Sequence, residues 1–89
     1  MAVTRKVGVI KMTAGSDSVS GNVYVRRVLA DPSDETATAQ AILQDSDGNE
    51  IFAITLAPNE GGVLFEICLP SDGVTLSTAT NIGRVLIYE

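Results

Sequence analysis

The residue types that most often carry out catalysis are sparse in this chain of 89 residues. It contains no histidine and a single cysteine, Cys68. A serine, threonine or cysteine nucleophile usually works with a nearby base, and here that base would have to be a lysine or a carboxylate. Lys6 and Lys11 have no serine at the S-x-x-K spacing, and Cys68 lies between Ile67 and Leu69 in a strand-like run, where a thiol is typically inert. We therefore expect a protein that is not an enzyme.

Segment 45–50, with the sequence DSDGNE, offers clustered oxygen atoms that a cation could use. An EF-hand loop, however, has glycine at its sixth position and glutamate at its twelfth. Here Gly48 is fourth and Leu56 is twelfth, so the pattern does not fit. The segment predicts a hairpin turn with Gly48 in a left-handed conformation, and a weak cation site formed by Asp45, Asp47 and Asn49 stays open as the alternative.

The chain also lacks the usual features that bind cofactors or support a small core. Gly61 and Gly62 precede a strand-like run rather than a helix, so they form no phosphate-binding loop at a helix start. A structural zinc site needs about four nitrogen or sulfur ligands, and the lone Cys68 excludes an internal disulfide. We expect no cofactor and no metal. Because a domain this small buries only about 60% of its unfolded surface, we expect oligomerisation to supplement the core.

Seven apolar runs rich in valine, isoleucine, leucine and threonine alternate with turn-forming segments. These residue types favour the pleated surface of a strand, and short strands at nearly regular spacing are typical of a sandwich or barrel. The sequence predicts one all-β domain over residues 1–89: a small antiparallel β-sandwich, jelly-roll or immunoglobulin-like, with about seven strands, or alternatively a small β-barrel. The expected strands cover residues 5–13, 23–30, 36–44, 50–57, 62–69, 73–79 and 84–89.

The alternation of apolar and polar residues indicates which strands face the core on one side only. Val74 and Leu76 alternate with hydroxyl residues, and the run 63–69 has an apolar residue at every second position with Glu66 between them. Segments 51–56 and 85–88 are instead apolar on both faces. Because a two-layer domain covers one face of each sheet, we expect an outer face of these two strands to contact a partner.

The charge is unevenly distributed along the chain. Five of the six basic residues lie within the first 27 positions, and Arg84 is the sixth. Nine acidic residues and no basic residue lie between positions 28 and 83. If the N-terminal strands lie beside the last strand, a basic edge faces an acidic remainder, which favours docking or head-to-tail contact between unlike surfaces. The net charge of -5 disfavours nucleic acid, and we expect no membrane-spanning segment because no apolar run approaches about 18 residues.

Aromatic residues that could contact sugars are few. The chain has no tryptophan, and only Tyr24 and Tyr88 are expected at the surface, because Phe65 lies on the apolar side of its strand and Phe52 belongs to a strand that is apolar on both faces. A glycan-binding module is therefore possible but receives little support from composition.

Segment 39–52, a strand, an acidic glycine turn and a second strand, is followed later by segments 69–76 and 83–89. This succession over about residues 36–89 resembles small β-sandwich virion proteins of tailed bacteriophages, the kind that decorate or cement the capsid. The resemblance lies in the positions of the β-turn residues between the strands. It implies a non-enzymatic structural protein, commonly a symmetric oligomer, with a trimer favoured. It further implies binding to the major capsid protein or another virion protein, and a location on the capsid surface after assembly in the host cytoplasm.

The residues expected to contact the shell or a sister subunit are the basic residues and the two surface tyrosines. They are Arg5, Lys6, Lys11, Arg26, Arg27, Arg84, Tyr24 and Tyr88. A fibre- or tail-associated module that recognises a host surface or glycan is the alternative function, and an interaction domain of a cellular assembly is a third.

Overall fold

The computed structural model describes residues 3–6 and 8–89, and these residues form seven strands and no helix. Residues 1 and 2 of the predicted domain and residue 7 of the predicted first strand lie outside the described residues. The strands are β1 (Val3–Lys6), β2 (Val9–Met12), β3 (Ser18–Pro32), β4 (Ala39–Gln44), β5 (Glu50–Leu56), β6 (Val63–Thr80) and β7 (Ile82–Tyr88).

All seven strands belong to one antiparallel sheet in the order β1-β2-β7-β3-β6-β4-β5. Two stacked sheets lie about 10 Å apart, and the smallest extent of this chain, 22 Å, leaves room for two such layers. The sheet therefore folds over on itself, and β4 contacts β7 although three places in the sheet order separate them. The predicted all-β fold of about seven strands, a small sandwich or barrel-like structure, is confirmed.

The two longest strands, β3 and β6, run through both halves of the folded sheet. The C-terminal half of β3 pairs with β7 and with residues 63–66 of β6, whereas its N-terminal half pairs with residues 69–75 of β6. Beyond that point β6 pairs with β4. The first layer thus contains β1, β2, β7 and the adjoining halves of β3 and β6, and the second layer contains the other halves with β4 and β5.

The core lies between these layers and contains one inward row from each. In register across the first layer, Ile10, Ile87 and Val28 are fully buried. Ala41 and Leu43 of β4 close the core from the second layer. The other buried apolar residues are Met12, Val23, Val25, Ala30, Ala39, Leu56, Val74, Leu76, Ile82 and Val85.

Several predicted strand bounds are wrong, and β3 begins at Ser18 and ends at Pro32 rather than covering residues 23–30. Residues 62–69 and 73–79, predicted as two strands, belong to one strand, β6, which bends between them instead of ending. Left-handed conformations at Cys68 (φ 50°) and Gly73 (φ 74°) accompany register shifts against β3, which is how β-bulges redirect a strand without ending it. Residues 5–13, predicted as one strand, span β1, β2 and the reversal at Gly8 (φ 83°).

Strand β5 does not present an apolar outer face. The register shifts between Leu43 and Gln44, so that Leu43 pairs with Phe52 while Ile51 is the extra residue. Ile51, Phe52 and Ile54 all pack against the core. The bulge therefore explains the continuous apolar run, and the expectation of an apolar outer face holds for β7 but is wrong for β5.

Candidate docking face

The outer surface of the first layer combines exposed apolar residues with most of the basic residues. We call this surface the basic face, and define it by the outward residues of three register rows. One row is Thr4, Lys11, Leu86, Leu29 and Leu64; the next is Lys6, Val9, Tyr88, Arg27 and Glu66; the third is Arg84 and Asp31. The predicted proximity of the N-terminal strands and Arg84 follows from the position of β7 beside β2.

Three leucines lie side by side on this face, one on each of three neighbouring strands. Leu86 and Leu29 are half-buried, and Leu64 is 53% exposed. Because neighbouring strands are about 4.8 Å apart, this leucine row is roughly 10 Å long. The alternate residues of the same strands, such as Val85 and Val28, are fully buried, so the apolar outer row is additional to the core.

The basic residues around the leucine row differ in whether they have partners. The Arg84 Nε–H donates to Asp31 Oδ2 at 2.6 Å, an ion pair on the face itself. Lys6, Lys11 and Arg27 form no ion pair with any of the described residues. Three positive charges are therefore available to a partner.

Two of the predicted basic residues do not lie in this surface. Arg5 belongs to the core-facing row of β1, at the rim of the sheet, and its guanidinium pairs with Glu89 Oε1 at 2.5 Å. Arg26 lies opposite the bulge in β6, and its Nε–H donates to the backbone oxygen of Glu89 at 3.2 Å. Both arginines hold residue 89 in place, which gives them a structural role independent of any partner.

A depression lies at the β1–β2 end of the basic face. It has a volume of about 330 Å³ and is lined by Thr4, Lys6, Val9, Lys11 and Leu86. Its apolar floor lies between two ammonium groups. We call it the lysine hollow.

Tyr24 lies away from the basic face, on the N-terminal half of β3. Its ring is 47% exposed and stands opposite Pro70 on β6, while the next outward pair on the same strands is Asn22 and Asp72. An open groove of about 520 Å³ runs along these side chains. The pKa of Tyr24 is raised, chiefly by desolvation and then by the charge of Cys68 and a hydrogen bond with it.

Cys68 points outward and is exposed. Its neighbours Ile67 and Leu69 turn toward the core side and are half-buried, as the alternation along residues 63–69 predicts. The left-handed backbone at Cys68 belongs to the bulge opposite Arg26, whose carbonyl oxygen lies 4.0 Å from the thiol. The thiol therefore lies beside Tyr24 at the bend of β6.

The acidic segment 45–50 forms the predicted hairpin turn. Gly48 adopts φ 83°, and Asp45 Oδ1 accepts the backbone N–H groups of Asp47 at 3.0 Å and Asn49 at 2.9 Å. These hydrogen bonds lower the pKa of Asp45. The carboxylate is thus engaged in closing the turn, and the described residues contain no group of three acidic, cysteine or histidine side chains arranged around a common point.

Sequence reasoning missed the residues at the centre of the basic face, Leu29, Leu64 and Val9. The signal was present in part, because Val28-Leu29-Ala30 and Val63-Leu64-Phe65 are uninterrupted apolar triplets. Of two neighbouring apolar residues in a regular strand, one must face outward. Applied to these triplets, the criterion used for residues 85–88 would have identified Leu29 and Leu64.

Comparisons of the chain with protein-family models, with curated proteins and with solved structures found no match. None of the described residues belongs to a helix of the length and apolarity that a membrane crossing requires.

Proposed function

We propose that this protein is a non-enzymatic virion structural protein of a tailed bacteriophage that binds and stabilises the assembled capsid shell. The observation that carries the proposal is the leucine row within a basic surface. Leu64 is 53% exposed and is not among the buried core residues, so it contributes little to the fold. Such a residue among half-buried leucines is typical of an interaction surface.

The basic face fits a partner surface that is acidic around an apolar centre. Arg27, which lies on this face near Leu29 and Leu64, is without an ion pair in the described part of the chain, so it is free to orient the partner and accelerate association. Desolvation of Leu29 and Leu64 contributes affinity at the centre, as at the apolar core of other interfaces. The major capsid protein, or another virion protein exposed on the shell, is the proposed partner.

Stabilisation of the shell follows from selective binding. A protein that binds assembled subunits but not dissociated ones shifts the equilibrium toward the shell, by about 2.7 kcal/mol per site at a free concentration one hundred times Kd. Many symmetric copies multiply this effect over one particle. A homo-oligomer, with a trimer favoured, would further strengthen attachment by engaging several shell subunits at once. The proposed location is accordingly the capsid surface, reached after assembly in the host cytoplasm.

The test is co-sedimentation of the purified protein with heads of the phage that encodes it, compared with unassembled capsid protein. We expect binding to heads alone, and a higher temperature of head disruption when the protein is bound. The variant carrying Arg26→Glu and Arg27→Glu should lose occupancy on heads without unfolding, and Arg27→Glu alone should lose as much, because Arg26 contacts residue 89 rather than the basic face. The variant Leu64→Ser should weaken binding with little change in stability, and Leu56→Ser, a core substitution, serves as the destabilised control.

Full occupancy by the arginine variant and by Leu64→Ser would show that the basic face is not the docking surface. Absence of the protein from purified particles, together with no binding to heads, would reject the shell function itself.

A fibre- or tail-associated module that recognises a host glycan is the second candidate, supported by the groove at Tyr24. The rings of Tyr24 and Pro70 provide an apolar platform, and Asn22 and Asp72 provide an amide and a carboxylate beside it. Aromatic platforms with adjacent hydrogen-bonding groups suit the alternating polar and apolar surfaces of sugars. Retention on immobilised envelope polysaccharide, lost in Tyr24→Ala and kept in Tyr88→Ala, would favour this candidate over the shell protein.

A further inference from the structure

The two lysines of the lysine hollow are unpaired positive charges at one end of the sheet. Lys6 and Lys11 lie on β1 and β2, the first two strands in the sheet order. Both side chains are exposed, and neither forms a hydrogen bond or an ion pair with the described residues. Arg5 and Arg84, by contrast, are neutralised within the chain by Glu89 and Asp31.

The carboxylates can be sorted in the same way. Asp45 closes its own turn, Asp34 accepts from Thr36, Asp72 accepts from Ser46, and Glu60 accepts the N–H of Ala57. Within residues 3–6 and 8–89, the exposed acids without such contacts are Glu35, Asp47, Glu50 and Glu66.

Only Asp47 and Glu50 among these four belong to the same segment. Asp47 lies in the β4–β5 turn and Glu50 begins β5, and residues 46–50 are all exposed. Glu66 lies on the basic face, in register with Arg27, and Glu35 is alone in the loop after β3. The β4–β5 turn belongs to the last two strands in the sheet order. The unpaired acids and the unpaired lysines thus lie on hairpins at the two ends of the strand order, and no ion pair among the described residues joins them.

From this arrangement we infer that the protein self-associates head to tail, with the β4–β5 turn of one copy seated in the lysine hollow of the next. Asp47 and Glu50 pair with Lys6 and Lys11 across the contact, and the narrow Gly48 tip reaches the floor formed by Val9 and Leu86. This inference rests on the homo-oligomer of the proposed function and identifies its contact surfaces. The leucines at the other end of the basic face stay open to the shell.

The geometry of the contact fixes the kind of assembly. The two surfaces differ, so the interface is heterologous and generates a closed ring or an open filament. Exposed ion pairs are individually weak and screened by salt, and the apolar floor is small. We therefore expect association that depends on concentration and that dissociates at high salt.

The experiment is light scattering over a wide concentration range at low and high salt, on the whole chain and on four variants. One variant carries Lys6→Glu and Lys11→Glu, and a second carries Asp47→Lys and Glu50→Lys. A third combines all four reversals and so keeps the net charge of -5. The control carries Arg26→Glu and Arg27→Glu, which changes the net charge as much as the lysine reversal does. Circular dichroism confirms that each variant is folded.

We expect the first two variants to raise the Kd of self-association about tenfold or more, because repulsion replaces attraction at both charge pairs. The four-fold reversal should restore association close to that of the unchanged chain, and the arginine control should associate normally. A salt-sensitive oligomer with this pattern supports the inference.

Two results overturn it. An oligomer that neither pair of reversals affects places the contact elsewhere and leaves the oligomeric shell protein intact. A monomer at every concentration removes the self-contact altogether. Head co-sedimentation of the lysine variant separates this failure from failure of the proposed function, because shell docking through Leu64 and Arg27 would persist.

Discussion

Replacement of Asn81 tests how the two layers are joined. Asn81 is the single residue between β6 and β7, at the point where the chain passes from the second layer to the first, and it adopts φ 54°. Its Oδ1 accepts the Ser33 hydroxyl at 2.7 Å and the Asp34 N–H at 3.0 Å. Its Nδ2 donates to the carbonyl oxygens of Asp34 at 2.8 Å and Ala37 at 3.2 Å. One side chain therefore ties the β3–β4 loop to the layer crossing.

The cost of Asn81→Ala has two parts. Four hydrogen bonds at a partly exposed site contribute about 0.5 kcal/mol each, near the lower end of the usual net range, or about 2 kcal/mol in total. The left-handed conformation costs alanine about 1 kcal/mol that asparagine tolerates. The sum is about 3 kcal/mol of unfolding free energy, which lowers the Tm of a domain of this size by about 12–24 °C.

Urea denaturation of three variants separates the parts. Asn81→Gly keeps the backbone conformation and loses the hydrogen bonds, so we expect a loss of about 2 kcal/mol. Asn81→Asp keeps the acceptor contacts and loses the donated ones. Asn81→Ala loses both and should be the least stable. A loss below about 1 kcal/mol in Asn81→Ala would refute the assigned role, and equal losses in the glycine and alanine variants would refute the conformational part.

Three further predictions concern stability. An added Cβ at Gly62 would overlap Asp31 Oδ1, so Gly62→Ala should displace that carboxylate, break its ion pair with Arg84 and lower the Tm, as a thermal melt followed by circular dichroism would show. The lowered pKa of Asp45 means that its ionised form stabilises the fold above about pH 4 and that this contribution is lost as the pH falls. Thermal melts from neutral to acid pH should therefore drop less steeply in Asp45→Asn, and parallel curves would contradict this. Leu43→Ala should cost about 2–5 kcal/mol because the side chain is fully buried, whereas Leu64→Ala should change the unfolding free energy by about 0.5 kcal/mol or less, and similar losses in urea denaturation would show that Leu64 belongs to the core.

The residues with the most local information were predicted best. Gly48 and the acidic residues around it close the β4–β5 hairpin as expected, since their hydrogen bonds lie within five residues. Alternation correctly assigned Val74 and Leu76 to the core. These outcomes depend on the period of the strand and on turn chemistry, and both are properties of short segments.

Pro70 shows where local information fails. Proline usually ends a strand because it lacks the N–H that the ladder needs. At this point, however, β6 pairs with β3 on one side only, in register with Tyr24, and its other edge carries no neighbouring strand among the described residues. An unpaired edge tolerates proline. The topology of the sheet decides whether a strand has one neighbour or two. The sequence of residues 69–73 alone does not specify this number.

The candidate site shows the same limit. The clustering of basic residues was predictable from their positions along the chain, but adjacent residues of a strand point to opposite faces. Lys6 lies on the basic face, whereas Arg5 lies on the core-facing row and pairs with Glu89. Knowing which of the two is available required the register of β1 against β2, which no feature of residues 3–6 specifies alone.

The uneven charge along the chain becomes an uneven charge in space because of how the two outer hairpins join the sheet. β1 and β2 pair with each other, and only β2 reaches the interior strand β7; β4 and β5 pair with each other, and only β4 reaches β6. Each hairpin is therefore confined to one end of the strand order. The β1–β2 hairpin carries Lys6 and Lys11, and the β4–β5 hairpin carries Asp47 and Glu50. Among the described residues no ion pair joins the two hairpins. Their opposite charges are therefore available to the contact between copies that we propose.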